Sequence, residues 1–321
     1  MPQDANPSIT IIIPCFNERE CIHVLLQRLH QACVNLSLFK WSILFVDDGS
    51  TDGTEELILD CAHSHKEYCF SITLLSLSRN FGKEAALIAG LDHFSGDACI
   101  IMDADLQDPP DLIPALVQNW INGSRVVTAK RVDRTHDRWF KKTSARIFYR
   151  LFRAVSKFEI ELDASDFRLL DKSVVKAITS CRESVRFSKG FFAWAGFQTS
   201  TVPFRRPERL LGETKWGIWR LWNYALDGVF NFSIAPLKIW SYIGIVITFL
   251  SFVLGLKEIF IAFIYGSAPS GYASTFVAIT FLGGIQMVGI GVMGEYIGRI
   301  YLESKRRPLY VVKSQTCLSV D

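Results

Sequence analysis

Short apolar runs alternate with helix-period segments over the first 130 residues. Residues 9–14 (ITIIIP), 42–50 (SILFVDDGS), 71–78 (SITLLSLS) and 98–105 (ACIIMDAD) are apolar stretches with the composition of strands buried on both faces. Between them Cys21, Val24, Leu25, Leu29 and Ala32 recur at helical spacing. A second helix starts at Asp52 with Glu55 three residues on, the spacing of a capping box, and a third covers about 83–94. Strands joined by helical crossovers predict an α/β fold with a mainly parallel sheet. Ligands of such sheets gather beyond the carboxyl ends of the strands, which places Asn17, Glu18, Asp47, Asp48, Arg79, Asn80 and Asp103 to Asp105 on one rim.

The pattern changes in the last third. No charge occurs from Ile239 to Leu256, nor from Ile259 to Gly294. Crossing a bilayer takes roughly 20 apolar residues in a helix. Two spans are therefore expected, about 237–264 and 272–296, joined by the turn-like GSAPSG at 266–271 and interrupted by Lys257 and Glu258. Arg205, Arg206, Arg209, Lys215, Arg220 and Lys238 precede the first span; Arg299, Lys305, Arg306, Arg307 and Lys313 follow the second. The joining loop has no Lys or Arg, so the positive-inside rule puts both termini in the cytoplasm. Before the spans, Trp216, Trp219, Asn223, Leu226 and Phe230 share a helical face, the pattern of an amphipathic helix in the headgroup layer or of one packed on the preceding domain. The expected organisation is an α/β domain over 1–212, an interfacial helix over 213–235, a membrane hairpin over 236–300 and a cytoplasmic tail over 301–321.

Composition narrows the chemistry. Lys and Arg number 35 against 32 acids, and that balance gives no reason to expect nucleic acid. Eight cysteines lie scattered without a Cys-x-x-Cys pair, as reduced thiols do. The N-terminal MPQDANPS lacks the basic and apolar regions of a cleavable signal peptide. Gly82-Lys83 is no P-loop, because Leu77 stands where the earlier glycine belongs and Glu84 follows the lysine; no Gly-x-Gly-x-x-Gly follows the first strand. Asp103, Asp105 and Gln107 are spaced i, i+2 and i+4, so on an extended chain they share a face. Two carboxylates side by side repel unless a cation lies between them, and Mg²⁺ or Mn²⁺ prefers such oxygen ligands. The competing reading is a pair of solvated acids opening the turn at Asp108-Pro109-Pro110.

Seven stretches in order, IPCFNERE, VDDGSTDGT, SRNFGKEAAL, DADLQDPP, AKR, SDFRLLD and GETKW, together with the two-span tail, resemble the polyprenyl-phosphate glycosyltransferases of family 2. The likeness runs from about residue 8 to 313, is nearest to the bacterial bactoprenol glucosyltransferases, and extends to dolichyl-phosphate mannose synthase. It implies a GT-A, Rossmann-like, nucleotide-sugar-binding domain followed by a two-helix transmembrane hairpin. It also implies that Pro14, Phe16, Asn17, Glu18 and Asp47 or Asp48 hold the nucleoside. Asp103, Ala104 and Asp105 would serve the nucleotide and a Mg²⁺ or Mn²⁺ ion, with Gln107 as a further ligand. Arg131, Arg209 and Lys215 match phosphate-handling positions, with Lys83 a weaker candidate that would otherwise just begin a helix. Asp166 matches the catalytic aspartate, as a base or as a residue that orients the acceptor; pairing with Arg168 is the structural alternative. The implied partners are a nucleotide sugar, a polyprenyl phosphate, membrane lipids and further copies of the chain. A processive polysaccharide synthase is disfavoured, because no Gln-x-x-Arg-Trp follows Asp166. A non-catalytic nucleotide-sugar-binding scaffold is disfavoured by the presence of all three aspartates. Glucose is the favoured sugar, with mannose and amino sugars open.

Overall fold

The computed structural model describes residues 6–64, 68–132, 164–183, 191–192, 194–204, 235–265 and 271–318. Strands and helices alternate as β1 (Ser8–Cys15), α1 (Arg19–Val34), β2 (Lys40–Asp47), α2 (Thr54–Ser64), β3 (Phe70–Leu77), α3 (Lys83–Asp92) and β4 (Ala98–Ile101). α4 (Ile113–Ile121), β5 (Val126–Arg131), β6 (Ala164–Asp171), α5 (Lys172–Ser180) and β7 (Thr199–Phe204) complete this α/β part. Two long helices, α6 (Ala235–Tyr265) and α7 (Tyr272–Ser304), precede a last strand, β8 (Val312–Leu318).

All eight strands join one sheet in the order β7-β5-β6-β4-β1-β2-β3-β8. β4, β1, β2 and β3 are mutually parallel, as the apolar runs predict. The flanks are not: β6 runs antiparallel to β4 and β5, and β8 antiparallel to β3, so the sheet is mixed. Period-2 alternation sends successive side chains of the central strands to opposite layers. Ile11, Ile13 and Phe45 face the layer holding Leu25, Leu29 and Trp120, whereas Ile12, Leu44 and Val46 face the layer of α3 and α5. Each fully buried Ile contributes about 1.5–3 kcal/mol of transfer free energy, and the buried Thr10 among them has its hydroxyl bonded to Ser42 Oγ and to the Ser95 carbonyl. α3 lies close on the sheet, and a Cβ at Gly90 would collide with Ile12.

Residues 301–321, expected as a tail, instead carry β8, whose backbone bonds satisfy the outer edge of β3. α6 and α7 occupy the apolar third. Both helices form, but among the described residues only Phe281–Ser304, 24 residues at mean hydropathy 1.2, is long and apolar enough to cross a membrane. α6 itself runs 31 residues and carries no charge from Ile239 to Leu256. The helices touch where the Trp240 indole lies against Gly289. Much of their apolar surface is bare, with Phe263 89% exposed. The expected interfacial helix at 213–235 and most of the 266–271 turn lie outside the described residues.

Candidate active site

The order of strands lays out the rim. Running across the sheet, β2 ends at Asp47, β1 leads into Phe16 to Glu18, β4 leads into Asp103, β6 begins near Asp166 and β5 ends at Arg131. β6 brings its amino end there because it is antiparallel to β4. The Lys130–Ala164 register sets Arg131 at the same edge.

Three loops hold the β1–β2 end of this rim together. Asn17 adopts φ +55°, in the left-handed region that asparagine tolerates. Its backbone N–H donates to Ser50 Oγ at 2.9 Å, and its Oδ1 accepts from the Thr51 N–H at 2.8 Å. The Glu18 N–H donates to Thr54 Oγ1 at 3.1 Å. Gly49, at φ +72°, passes so near residues 79 and 80 that a Cβ would lie 2.7 Å from the Arg79 carbonyl carbon. Pro14 and Phe16 are partly exposed on this edge.

Adjacent aspartates do different things. Asp48 spends both oxygens on backbone, accepting from the Phe81 N–H at 2.7 Å and the Gly82 N–H at 2.8 Å. That fixes the loop into α3, and with it Lys83. Asp47 accepts from the Ser50 N–H at 3.1 Å through Oδ2, while its Oδ1 is buried with no partner. Burial pushes the Asp47 carboxyl above its ordinary pKa, partly offset by the Ser50 bonds. An unpartnered buried carboxylate oxygen is costly, and a ligand N–H is the group that would relieve it.

At the centre, Lys83 Nζ lies 2.7 Å from the Asp103 carboxylate and 2.9 Å from that of Asp166. Burial opposes the ammonium, but Asp166 and Asp103 outweigh it and raise its pKa. Burial likewise raises the Asp103 carboxyl; Lys83 counteracts this, and Asp166 and Asp105 add to it. Lys83 is thus at once the first residue of α3 and a bridge between two acids. Asp166 forms this ion pair with Lys83. Arg168, the alternative partner considered for Asp166, sends Nη2 to the Ser165 carbonyl at 2.7 Å and lies 4.0 Å from the Phe192 ring centroid.

The extended face assumed for Asp103, Asp105 and Gln107 is not there. β4 ends at Ile101, and the chain turns with Leu106 at φ +60°. Asp103 and Asp105 still lie near enough to interact. Gln107 is 8% exposed, and its N–H donates to Asp105 Oδ1 at 3.1 Å. Ala104 is buried beneath the turn. Among the described residues no group of three or more His, Cys, Asp or Glu could hold a metal ion. The donor set nonetheless fits a hard cation of the Mg²⁺ type, which commonly takes one or two carboxylates and completes its shell with water and substrate phosphate.

Arg131 is partly buried, and its Nε has no partner. Arg209 and Lys215 lie outside the described residues. Sequence reasoning missed Asp108, which bonds the Asp103 backbone and Ser165, and Lys313, which reaches Glu55 at 3.1 Å. Glu55 does not close a capping box; it accepts from Ser76 Oγ at 2.9 Å and pairs with Lys313.

Residues 10–179 match the domain described as Glycosyl transferase family 2. The chain is 45% identical over 305 residues to a prophage bactoprenol glucosyl transferase homolog of Escherichia coli K12, covering 95% of this chain and 98% of that protein. It is 44% identical to the bactoprenol glucosyl transferase of Shigella phage SfV, over 96% of this chain and 98% of the other. Among solved structures, a mannosyltransferase from Pyrobaculum calidifontis in complex with GDP-Man and Mn²⁺ aligns over 94% of this chain and 88% of its own, at 17% identity and TM-score 0.49. The sheet of α/β units, the acidic rim and near-full-length identity to named glycosyltransferases make this chain a GT-A-fold enzyme, a member of glycosyltransferase family 2.

Proposed function

We propose that this enzyme transfers glucose from UDP-glucose to a polyprenyl phosphate, with inversion, at the cytoplasmic face of the cell membrane, for O-antigen or other envelope glycan modification. The observation that carries the reading is 45% identity over 95% of the chain to a protein named as a bactoprenol glucosyl transferase homolog. Asp47, with its unpartnered oxygen, accepts from the nucleobase, and Pro14, Phe16, Asn17 and Glu18 line the nucleoside. Asp48 acts behind them by holding the loop that carries Lys83.

Asp103 and Asp105 would hold Mg²⁺ or Mn²⁺ for the donor diphosphate, with Gln107 closing the turn beneath. The ion supplies Lewis-acid stabilisation of the departing nucleoside diphosphate. An acceptor phosphate oxygen forms the new bond to the anomeric carbon as the bond from that carbon to the diphosphate oxygen breaks. Its second pKa is near about 6, so at neutral pH the phosphate is already a dianion and needs no strong base. Asp166 therefore orients the acceptor, Arg131 supplies charge for its phosphate from the β5 end, and Arg209 and Lys215 add to that charge.

β8 also supports a membrane hairpin. Because it lies in the same sheet as β1, the chain before α6 and the chain after α7 are on one side. If α7 crosses a membrane, α6 must cross as well. Together with the basic residues flanking the two helices, this supports multi-pass insertion with both termini cytoplasmic, and a homo-oligomer is compatible with it.

The test is conversion of radiolabelled UDP-glucose to organic-extractable product by purified membranes, with GDP-mannose and UDP-amino sugars as parallel donors. Label from UDP-glucose alone, abolished by excess EDTA and by Asp105→Ala, is expected. Product from another donor only would overturn the sugar, and full activity in EDTA would overturn the metal.

A further inference from the structure

Asp108 is 2% exposed, and no role assigned above uses its carboxylate. Its Oδ2 accepts from the backbone N–H of Asp103 at 3.2 Å, and its Oδ1 accepts from Ser165 Oγ at 3.2 Å. Ser165 Oγ in turn accepts from the Phe167 N–H at 3.3 Å, bracketing Asp166. The registered β4–β6 pairs end at Ile101–Arg168, so both acids lie beyond the backbone ladder that would otherwise fix their spacing. One side chain restores the cross-link there.

Lys83 joins the same two acids, but in another way. It binds their carboxylates, and its own side chain is 47% exposed, so an incoming anion competes for it. Asp108 binds the backbone of one strand end and the serine preceding the acid on the other. It is buried, and substrate does not reach it. We infer that Asp108 is a positioning residue that fixes the distance between the donor-side Asp103 and the acceptor-side Asp166. The inference rests on the roles proposed for those two acids. Reacting groups misplaced by about 1 Å cost on the order of 10²-fold in rate, so a tie of this kind governs turnover without touching substrate.

The geometry distinguishes three variants of the full-length, detergent-solubilised enzyme. Ser165→Ala frees only the acceptor side, so kcat should fall roughly tenfold with the UDP-glucose KM unchanged. Asp108→Ala frees both sides, so kcat should fall about 10²-fold and the donor KM should rise. Asp108→Asn retains an acceptor for the Asp103 N–H and gains a donor for the Ser165 hydroxyl, so it should recover most of the activity. Calorimetric binding of UDP with Mn²⁺ reads the placement of Asp103 without any transfer, and it should weaken in Asp108→Ala but not in Asp108→Asn. Failure of the wild type to transfer glucose would count against the proposed function, while this binding arm would still decide the inference. Unchanged UDP–Mn²⁺ affinity in folded Asp108→Ala, or unchanged kcat in Ser165→Ala, would overturn it. Equal loss in the Ala and Asn variants, following melting temperature alone, would reduce Asp108 to a turn residue.

Discussion

At the scale of single residues, the centre of the site has a charge imbalance. Asp103, Asp105 and Asp166 converge, and Lys83 is the cation shown touching two of them. Replacing Lys83 with Met should leave the acids repelling one another and lower transfer about 10²-fold, the scale of losing one stabilising donor from an active site. Lys83→Arg should recover little, because a planar fork does not replace a point charge between two carboxylates. Asp166 separates orientation from proton removal. If it orients the acceptor, Asp166→Ala is nearly inactive, whereas Asp166→Asn keeps part of the activity. That residue of activity should grow as pH rises toward 8, since the acceptor phosphate, with its pKa near about 6, becomes fully dianionic unaided. A pH-independent Asn variant as poor as Ala would make Asp166 a base. Asp103, Asp105 and Asp166 stand out in the sequence because their motifs are local; the Lys83 bridge does not, since its partners are 20 and 83 positions away.

Among elements, β1 to β4 were legible because each strand buries both faces and so is written as a largely apolar run. β8 was not, since VKSQTCL is an exposed edge strand with few apolar residues, and its partner β3 lies over 200 positions earlier. The antiparallel placement of β6 was equally hidden, although it is what brings Asp166 to the rim. That placement is secured at its far end by Asp171. Its carboxylate caps α5 through the Ser173 N–H at 2.9 Å and also accepts from Trp120 Nε1 at 3.0 Å and Arg125 Nη1 at 2.8 Å. Burial pushes the Asp171 carboxyl up, but these bonds outweigh it, and its folded pKa lies below the ordinary value. The stabilisation is therefore complete above the unfolded value of about 3.9 and is lost as pH falls through the lower folded value. Asp171→Ala should cost about 3 kcal/mol at pH 7 in denaturant unfolding, and the gap to wild type should close in acid. A constant gap down to pH 2 would mean that packing, not the charge, carries the effect.

For the whole molecule, the chain leaving α7 is strapped to the catalytic domain at several points. Tyr310 donates to Asp92 at 2.9 Å, Asp92 also pairs with Arg182 at 2.6 Å, the Ser78 N–H donates to the Val311 carbonyl at 2.9 Å, and Lys313 pairs with Glu55. A segment so joined to α3, β3 and α2 cannot lie across a membrane from them. The number of crossings between β7 and β8 must then be even, although among the described residues only Phe281–Ser304 meets the length and hydropathy of a span by itself. Two crossings leave the joining loop on the far side and bury the apolar helix surface, where Phe249, Phe252 and Phe281 are all largely exposed; with none, that surface needs another cover. Ser270→Cys distinguishes them, with the exposed native Cys69 and Cys317 as internal controls. In intact cells an impermeant maleimide should label the introduced cysteine, while Cys69 and Cys317 should react only after permeabilisation. Labelling of all three only after permeabilisation would place the loop with the sheet, and the helices would then lie along the membrane surface or against another copy of the chain.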